Sequence, residues 1–307
     1  MTIEPYPIYT VSSLCSEDLE QLGNKPKYWY RDGDRRMMFK AEFRGTGEDW
    51  AERVACEICL QLGIPHVHYE LAYDEYQKLP GVICENVAAK PYSLILGNQL
   101  LLERDPDYPA DQEHRYKVSE HTVAAVLSVV AKLELPPEDS CQQLPEGIST
   151  ALGVFVGYVM LDALVANQDR HHQNWGAVRR STITRLAPSF DHGAGLARNE
   201  PDLKRSRRLD SGDADRQIAI YANKARSAFY QNAGDRRTLT THDAFAEFSK
   251  YDPKAASAWI SQLETVSADF LQGIVNRIPD SRISEVGKAF TIRLLEKNRS
   301  TLLQFND

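Results

Sequence analysis

Cysteine is scarce. The five residues Cys15, Cys56, Cys59, Cys84 and Cys141 are scattered over the first half of a 307-residue chain. An odd, scattered set supports no disulfide framework and makes a reducing cytoplasm the natural compartment. Cys56-x-x-Cys59 lies in a helical pattern with neither a second pair nor a nearby ligand histidine, and reads as ordinary apolar helix positions. Long apolar runs are missing too. The longest, 151–166, is about 16 residues and contains Asp162 and two glycines, so it is too short and too polar to span a membrane. It reads as a helix buried inside a globular lobe. The opening segment has no basic stretch followed by an apolar one, so no secretory leader is expected. Positive charge is not in excess either: 36 Lys+Arg against 43 Asp+Glu leave a net charge of −7, which makes direct nucleic-acid binding unlikely as a general role. There is no internal repeat, and no Gly-x-Gly-x-x-Gly or Walker A phosphate loop.

What is there suits an ordinary folded protein. With 42% hydrophobic and 26% charged residues the chain is not disordered, and at roughly 150 residues per domain it has material for about two lobes. Two β-prone runs, 27–30 and 36–43, flank Arg31-Asp32-Gly33-Asp34-Arg35 and predict a hairpin. Trp50, Val54, Ala55, Ile58, Cys59 and Leu62 recur at spacings of three and four and predict an amphipathic helix over 48–62, stopped at Gly63 and Pro65. Residues 66–73 and 81–85 read as further strands. The first 25 residues read as irregular, and 86–118 as mixed and loop-like. Helices are expected over 121–133, 149–165, 214–231, 241–249, 253–276 and 281–304, and a short hairpin over 175–178 and 182–186. The expected class is α+β: a β-rich N-lobe over 1–85, a hinge and connecting segment over 86–118, and a larger helical C-lobe over 119–307, with a ligand cleft between them.

The chemistry concentrates in Asn167-Gln168-Asp169-Arg170-His171-His172-Gln173-Asn174, where an apolar helix gives way to a polar run and then a short strand. Asp169 and Asn174 stand five apart, the spacing of the Asp and Asn of a kinase catalytic loop, where the Asp accepts a hydroxyl proton and the Asn reaches a metal. Downstream, Leu186-Ala187-Pro188-Ser189-Phe190-Asp191-His192-Gly193 puts Asp191 where a second metal-binding carboxylate is needed. In the N-lobe, Lys40 on its strand precedes a helix offering Glu48, Asp49, Glu52 and Glu57. Glu52 is the expected partner, Glu57 lying too far along. The basic run Lys204-Arg205-Ser206-Arg207-Arg208 reads as a solvated loop, with a patch for an acidic substrate as the alternative.

With these segments in view, the chain resembles the HipA-like kinases, specifically compact members without the extra N-terminal subdomain of HipA toxins. Phe39-Lys40-Ala41-Glu42, Gly81-Val82-Ile83, Leu96-Gly97-Asn98-Gln99-Leu100-Leu101, the 167–174 loop, the 186–193 segment and Tyr221-Ala222-Asn223-Lys224 carry the likeness, which covers about residues 28–300. It implies a protein-kinase-like bilobal fold and an ATP- and magnesium-dependent (Mg²⁺) serine/threonine kinase of the bacterial cytoplasm. By position it makes Asp169 the catalytic base, Asn174 and Asp191 the metal ligands, and Lys40 the phosphate-binding lysine paired with Glu52. His171 would contact the γ-phosphate or stiffen the loop, and the backbone of Glu85 to Val87 would hold the adenine. It further implies a protein substrate, for example an aminoacyl-tRNA synthetase, a small helix-turn-helix antitoxin as partner, and no membrane. The phosphate loop departs from the family: Arg31-Asp32-Gly33-Asp34-Arg35-Arg36 replaces the glycine-rich run, so nucleotide affinity is expected to lean on arginines there. A pseudokinase scaffold, a lipid or small-molecule kinase and a nucleotidyltransferase on the same fold stay open as alternatives.

Overall fold

The computed structural model describes residues 4–19, 26–42, 45–88, 91–110 and 118–306. Six strands form the N-terminal sheet: β1 (Ile8–Val11), β2 (Asp18–Leu19), β3 (Lys27–Asp32), β4 (Arg35–Ala41), β5 (Tyr69–Asp74) and β6 (Leu79–Glu85), in the order β1-β5-β6-β4-β3-β2. β3 and β4 are the expected hairpin around Gly33, with Lys27 opposite Lys40 and Asp32 opposite Arg35. Phe43, the last residue of the expected strand, lies outside the described residues. β1 and β2 fall in the stretch expected to be irregular. β1 pairs in parallel with β5, Ile8 opposite Leu71, across some sixty residues of chain, and no local periodicity encodes such a contact. Helix α1 (Glu48–Leu62) follows β4 and buries the stripe predicted for it.

A second sheet of three strands, in the order β7-β8-β9, joins β7 (Ser93–Leu96) to the hairpin β8 (Gly176–Arg180) and β9 (Ile183–Leu186). Thus the 86–118 stretch, expected to be loop-like, contains β7 and helix α2 (Gly97–Arg104). Its strand character comes from pairing with β8, Leu96 opposite Gly176, far away in sequence. The C-terminal lobe is helical: α3 (Val123–Val130), α4 (Ala151–Val165), α5 (Asp202–Leu209), α6 (Ala214–Ala222), α7 (Thr241–Ser249), α8 (Pro253–Glu264), α9 (Ala268–Asn276) and α10 (Glu285–Leu303). α4 is buried along nearly its whole length, as a helix apolar on all faces must be. Among the described residues no helix is long and apolar enough to cross a membrane.

Two expected helices are broken. The helix expected over 214–231 ends at Ala222, because the backbone of 225–230 bonds sideways instead: Ser227 N–H to Leu239 O at 2.9 Å and Tyr230 N–H to His121 O at 3.0 Å. The one expected over 253–276 divides into α8 and α9 at Ser267, whose hydroxyl accepts the Phe270 N–H at 3.0 Å and caps a new start.

The two lobes share one apolar core. Val54, Ile58 and Leu62 of α1 belong to the same cluster as Phe155 of α4 and Trp259 of α8. Arg282, in the turn before α10, adds a buried ion pair to Asp49 of α1 at 2.6 Å and donates to Ala72 O of β5 at 2.7 Å. α1 is therefore a fixed strut between sheet and bundle.

Behind the polar loop, His121 is sandwiched by hydrogen bonds. Its Nδ1 donates to Ala228 O at 3.0 Å, and its Nε2 accepts from Trp175 Nε1 at 3.1 Å. Only a neutral ring satisfies both, and burial pushes its pKa down to about 3. Below pH 6.5 the unfolded chain therefore binds a proton that the native state refuses. Stability should fall as pH drops from 6.5 toward 3, by about 1.4 kcal/mol per pH unit for this residue. Urea unfolding at pH 7.5 and 5.0 checks this: His121→Gln should flatten the slope, and an unchanged slope would refute the assignment.

Candidate active site

The polar loop begins where α4 ends, at Ala166 in the left-handed region (φ 51°). A buried ion pair organises it. Arg170 Nε and Nη2 donate to Asp162 Oδ2 and Oδ1 of α4 at 2.6 and 2.7 Å, with the two residues 1% and 2% exposed. Arg170 Nη1 continues to Asn174 O at 3.2 Å and to Ser189 Oγ at 3.0 Å. One guanidinium thereby ties α4, the loop and the segment leading to Asp191 together. Asn174 Nδ2 donates to Asp169 O at 2.8 Å, and Asp169 N–H to Asn167 Oδ1 at 3.2 Å, so the five-residue spacing closes the loop on itself. The start of α2 holds the loop from behind, with Asn98 N–H on His172 O at 2.6 Å and Gly97 N–H on Trp175 O at 2.8 Å. A Cβ on Gly97 would meet the Trp175 ring at 2.4 Å, so only glycine permits this approach.

Lys40, Glu52 and Asp191, from three separate segments, meet in one ion cluster. Lys40 Nζ lies 2.9 Å from Glu52 Oε1 and also binds Asp191 Oδ1. Burial works to discharge Lys40, but Asp191 and Glu52 outweigh it and hold the ammonium well above its ordinary range. Burial pushes the Glu52 carboxyl up, with Lys40 pulling against it. Glu52 Oε2 also accepts the His192 N–H at 2.8 Å. Gly193 lies against α1, where a Cβ would stand 3.0 Å from Glu48 O and 3.2 Å from Glu52 Oε1. Glu57, one turn further on, pairs instead with Arg53 at 2.6 Å. His192 is kept neutral by burial and bonds Ser189 Oγ through Nε2 at 2.7 Å.

Lys40, Asn174 and Asp191 line one cleft of about 730 Å³, which also takes in Met38, Val67, Leu94, Leu96, Phe190 and the run Glu85–Ala88. Its apolar walls suit a planar base. Asn86 N–H donates to Arg36 O at 3.1 Å and Ala88 N–H to Asn86 Oδ1 at 3.0 Å; neither bond uses the Val87 N–H. The Glu85 side chain points to Arg35, 3.0 Å away, where both side chains are exposed at the ends of β6 and β4. The loop arginines are already engaged: Arg31 with Glu17 at 2.8 Å, Arg35 with Asp32 at 2.6 Å, and Arg36 with Asp18 at 3.0 Å. Of the three, Arg36 alone lines the cleft, stacked over Trp29 at 4.6 Å. His171 is buried. Its Nδ1 accepts the Gln173 N–H at 3.1 Å, and its Nε2 stands 3.6 Å from Asp169 Oδ1. For a metal, the cleft offers the Asp191 carboxylate and the Asn174 amide oxygen, the amide nitrogen being used within the loop. Hard oxygen donors of this kind fit Mg²⁺ rather than a softer ion.

No protein-family model and no curated protein matches the sequence. Solved structures do match. A Helicobacter pylori proinflammatory kinase, CtkA, superposes with a TM-score of 0.74 over 97% of both chains at 18% identity. HipA from Shewanella oneidensis MR-1, solved with HipB and operator DNA, gives a TM-score of 0.53 over 94% of this chain and 65% of its own, at 10% identity. The chain shares its fold with these two proteins. Within this fold, two features of the site were invisible in the sequence. Asp162 reads as a flaw in an apolar helix but is the counter-ion of Arg170. Arg198 comes from the segment after Asp191 and pairs with Glu48 at 2.6 Å and with Thr46. Burial lowers its pKa despite the Glu42, Asp169, Asp191 and Glu52 carboxylates nearby. No motif surrounds Arg198 that could have signalled this. The 204–208 basic run is helical, not a loop: on α5, Arg205 turns inward to Ala197 O at 2.9 Å and Asp202 at 2.8 Å, and Arg208 lies 5.4 Å from the Tyr221 ring.

Proposed function

We propose that this protein is an ATP- and magnesium-dependent kinase of the HipA-like type, with a protein serine or threonine hydroxyl as acceptor. The observation that supports it most is the buried Lys40–Glu52–Asp191 cluster opening onto the cleft that Asn174 also lines. In this proposal the N-lobe is 1–85, the connecting hinge 86–118 and the catalytic lobe 119–307. Lys40, kept in place by Glu52, shifts its contact from Asp191 to the α- and β-phosphates when nucleotide enters. The Val87 N–H and the Glu85 backbone hold the adenine. Asp191 and Asn174 hold Mg²⁺, which when bound neutralises the phosphate charge. Asp169 accepts the proton of the attacking hydroxyl as the new O–P bond forms and the bond to the ADP oxygen breaks. His171, 3.6 Å from that carboxylate, steadies it as a positioning residue. The HipA neighbour, a toxin–antitoxin system solved with HipB and operator DNA, supports an antitoxin as the partner class. The target class in this proposal, a translation factor such as an aminoacyl-tRNA synthetase in a bacterial cytoplasm, rests on the sequence resemblance alone.

The test is transfer of γ-labelled phosphate from Mg-ATP in a bacterial lysate, comparing wild type with Asp191→Asn. Asn suits this position because Asp191 sits at φ 59°, a conformation Asn tolerates better than Ala. A labelled band that vanishes in the variant supports the kinase. No band in either lane, from folded protein, overturns it in favour of a scaffold. Label from α-labelled ATP instead would point to nucleotidyl transfer.

A further inference from the structure

A second cluster lies off the cleft, and the kinase reading does not use it. Cys56 on α1 was expected to have no histidine nearby, yet its Sγ stands 3.3 Å from His66 Nε2 and 3.4 Å from His68 Nδ1. The chain turns back at Gly63 and brings both histidines over the helix face one turn beyond Glu52. Each ring is oriented by its other nitrogen. His66 Nδ1 lies 2.7 Å from Ile64 O, and His68 Nε2 lies 2.7 Å from Glu70 Oε1. Those oxygens can only accept, so the far nitrogens carry the protons and the near ones face the sulfur. Metal-ligating histidines are held in this way, by a carbonyl behind one ring and a carboxylate behind the other.

We propose that Cys56, His66 and His68 form a three-ligand site for Zn²⁺. Their ligand atoms lie within 4.8 Å of one another, and no other group of three or more such residues meets that condition among the described residues. A tetrahedral ion with bonds of about 2.3 Å to sulfur and about 2.0–2.1 Å to nitrogen sets the sulfur and nitrogen roughly 3.5 Å apart. The observed sulfur-to-nitrogen distances of 3.3 and 3.4 Å are close to that spacing. Two imidazoles and a thiolate favour zinc over Mg²⁺, and the half-exposed His68 leaves a path for the ion and a fourth position for water. Without the ion a proton fills the gap. Zinc takes the place of the proton between sulfur and His68 Nδ1, which leaves to solvent.

The site has a structural consequence. His66 forms a bridge with Ser189, and Val67 N–H donates to Ser189 O at 2.8 Å, two residues before Asp191. An ion here clamps α1, the helix of Glu52, to the segment that delivers Asp191.

The experiment is a Co²⁺ titration of the reduced, chelator-treated full chain, read by absorbance, so it does not depend on kinase activity. One equivalent should produce a thiolate-to-cobalt charge-transfer band and the intense visible bands of tetrahedral cobalt, and Zn²⁺ should erase both. Cys56→Ser should abolish the charge-transfer band, whereas Cys15→Ser should leave it unchanged. His68→Asn, at a half-exposed position where folding is not at stake, should weaken Co²⁺ binding at least tenfold. Absence of the charge-transfer band in folded wild type would overturn the proposal, as would a band that survives Cys56→Ser or binding that is unaltered in His68→Asn. Rapid alkylation of Cys56 with no cobalt band would identify a bare thiolate–imidazolium pair instead.

Discussion

Asp169→Ala should lower phosphate transfer by roughly 10²–10⁴-fold, the usual contribution of a positioned general base, while the protein unfolds at the same denaturant concentration as wild type. The two halves of this expectation rest on different atoms. The loop is shaped by the backbone of Asp169, whose N–H donates to Asn167 Oδ1 and whose carbonyl accepts from Asn174 Nδ2, and an alanine keeps both bonds. The carboxylate beyond them is the part that would receive the hydroxyl proton. Transfer assays on purified protein and urea unfolding check the pair of results. Wild-type turnover in the variant would remove Asp169 from the role of base. A large fall in stability would mean that the carboxylate, not the backbone, shapes the loop.

Arg170→Ala should be the most destabilising single change in the site, by about 3–5 kcal/mol, because it strands the Asp162 carboxylate inside a helix with no solvent to turn to. Buried pairs are costly to break but less costly to replace. Asp162→Leu with Arg170→Met should therefore recover most of the stability, the two apolar side chains filling similar volume. Transfer should not recover with it. The guanidinium also donates to Asn174 O and Ser189 Oγ, and a methionine leaves the loop and the Asp191 segment without that common anchor. Denaturant midpoints and transfer rates on the same samples separate the two effects. Parallel recovery of both would reduce Arg170 to a stability role alone.

Much of the fold can be read locally. α1 and α4 follow from spacing and from an uninterrupted apolar run, and the β3–β4 hairpin from an Asp-Gly turn between β-prone segments, because periodicity and turn chemistry act within a few residues. The site is legible in part for the same reason. Asp169 and Asn174 are neighbours in one loop, so their spacing in sequence is their geometry in space. Strands β1 and β7 escaped notice because they are strands only by virtue of partners more than sixty residues away. The long helix expected after residue 214 was cut short because distant backbone competes for the hydrogen bonds of 225–230.

The amino-acid order alone determined helices α1 and α4, the β3–β4 hairpin and the α+β class, since these rest on periodicity and turn chemistry within a turn or two of chain. Only the tertiary structure decided which charges meet. Asp162 with Arg170, Arg198 with Glu48, and Cys56 with the two histidines are pairs whose members look unremarkable one by one. They acquire their chemistry when burial removes water and leaves each group only the partner that packing has placed beside it.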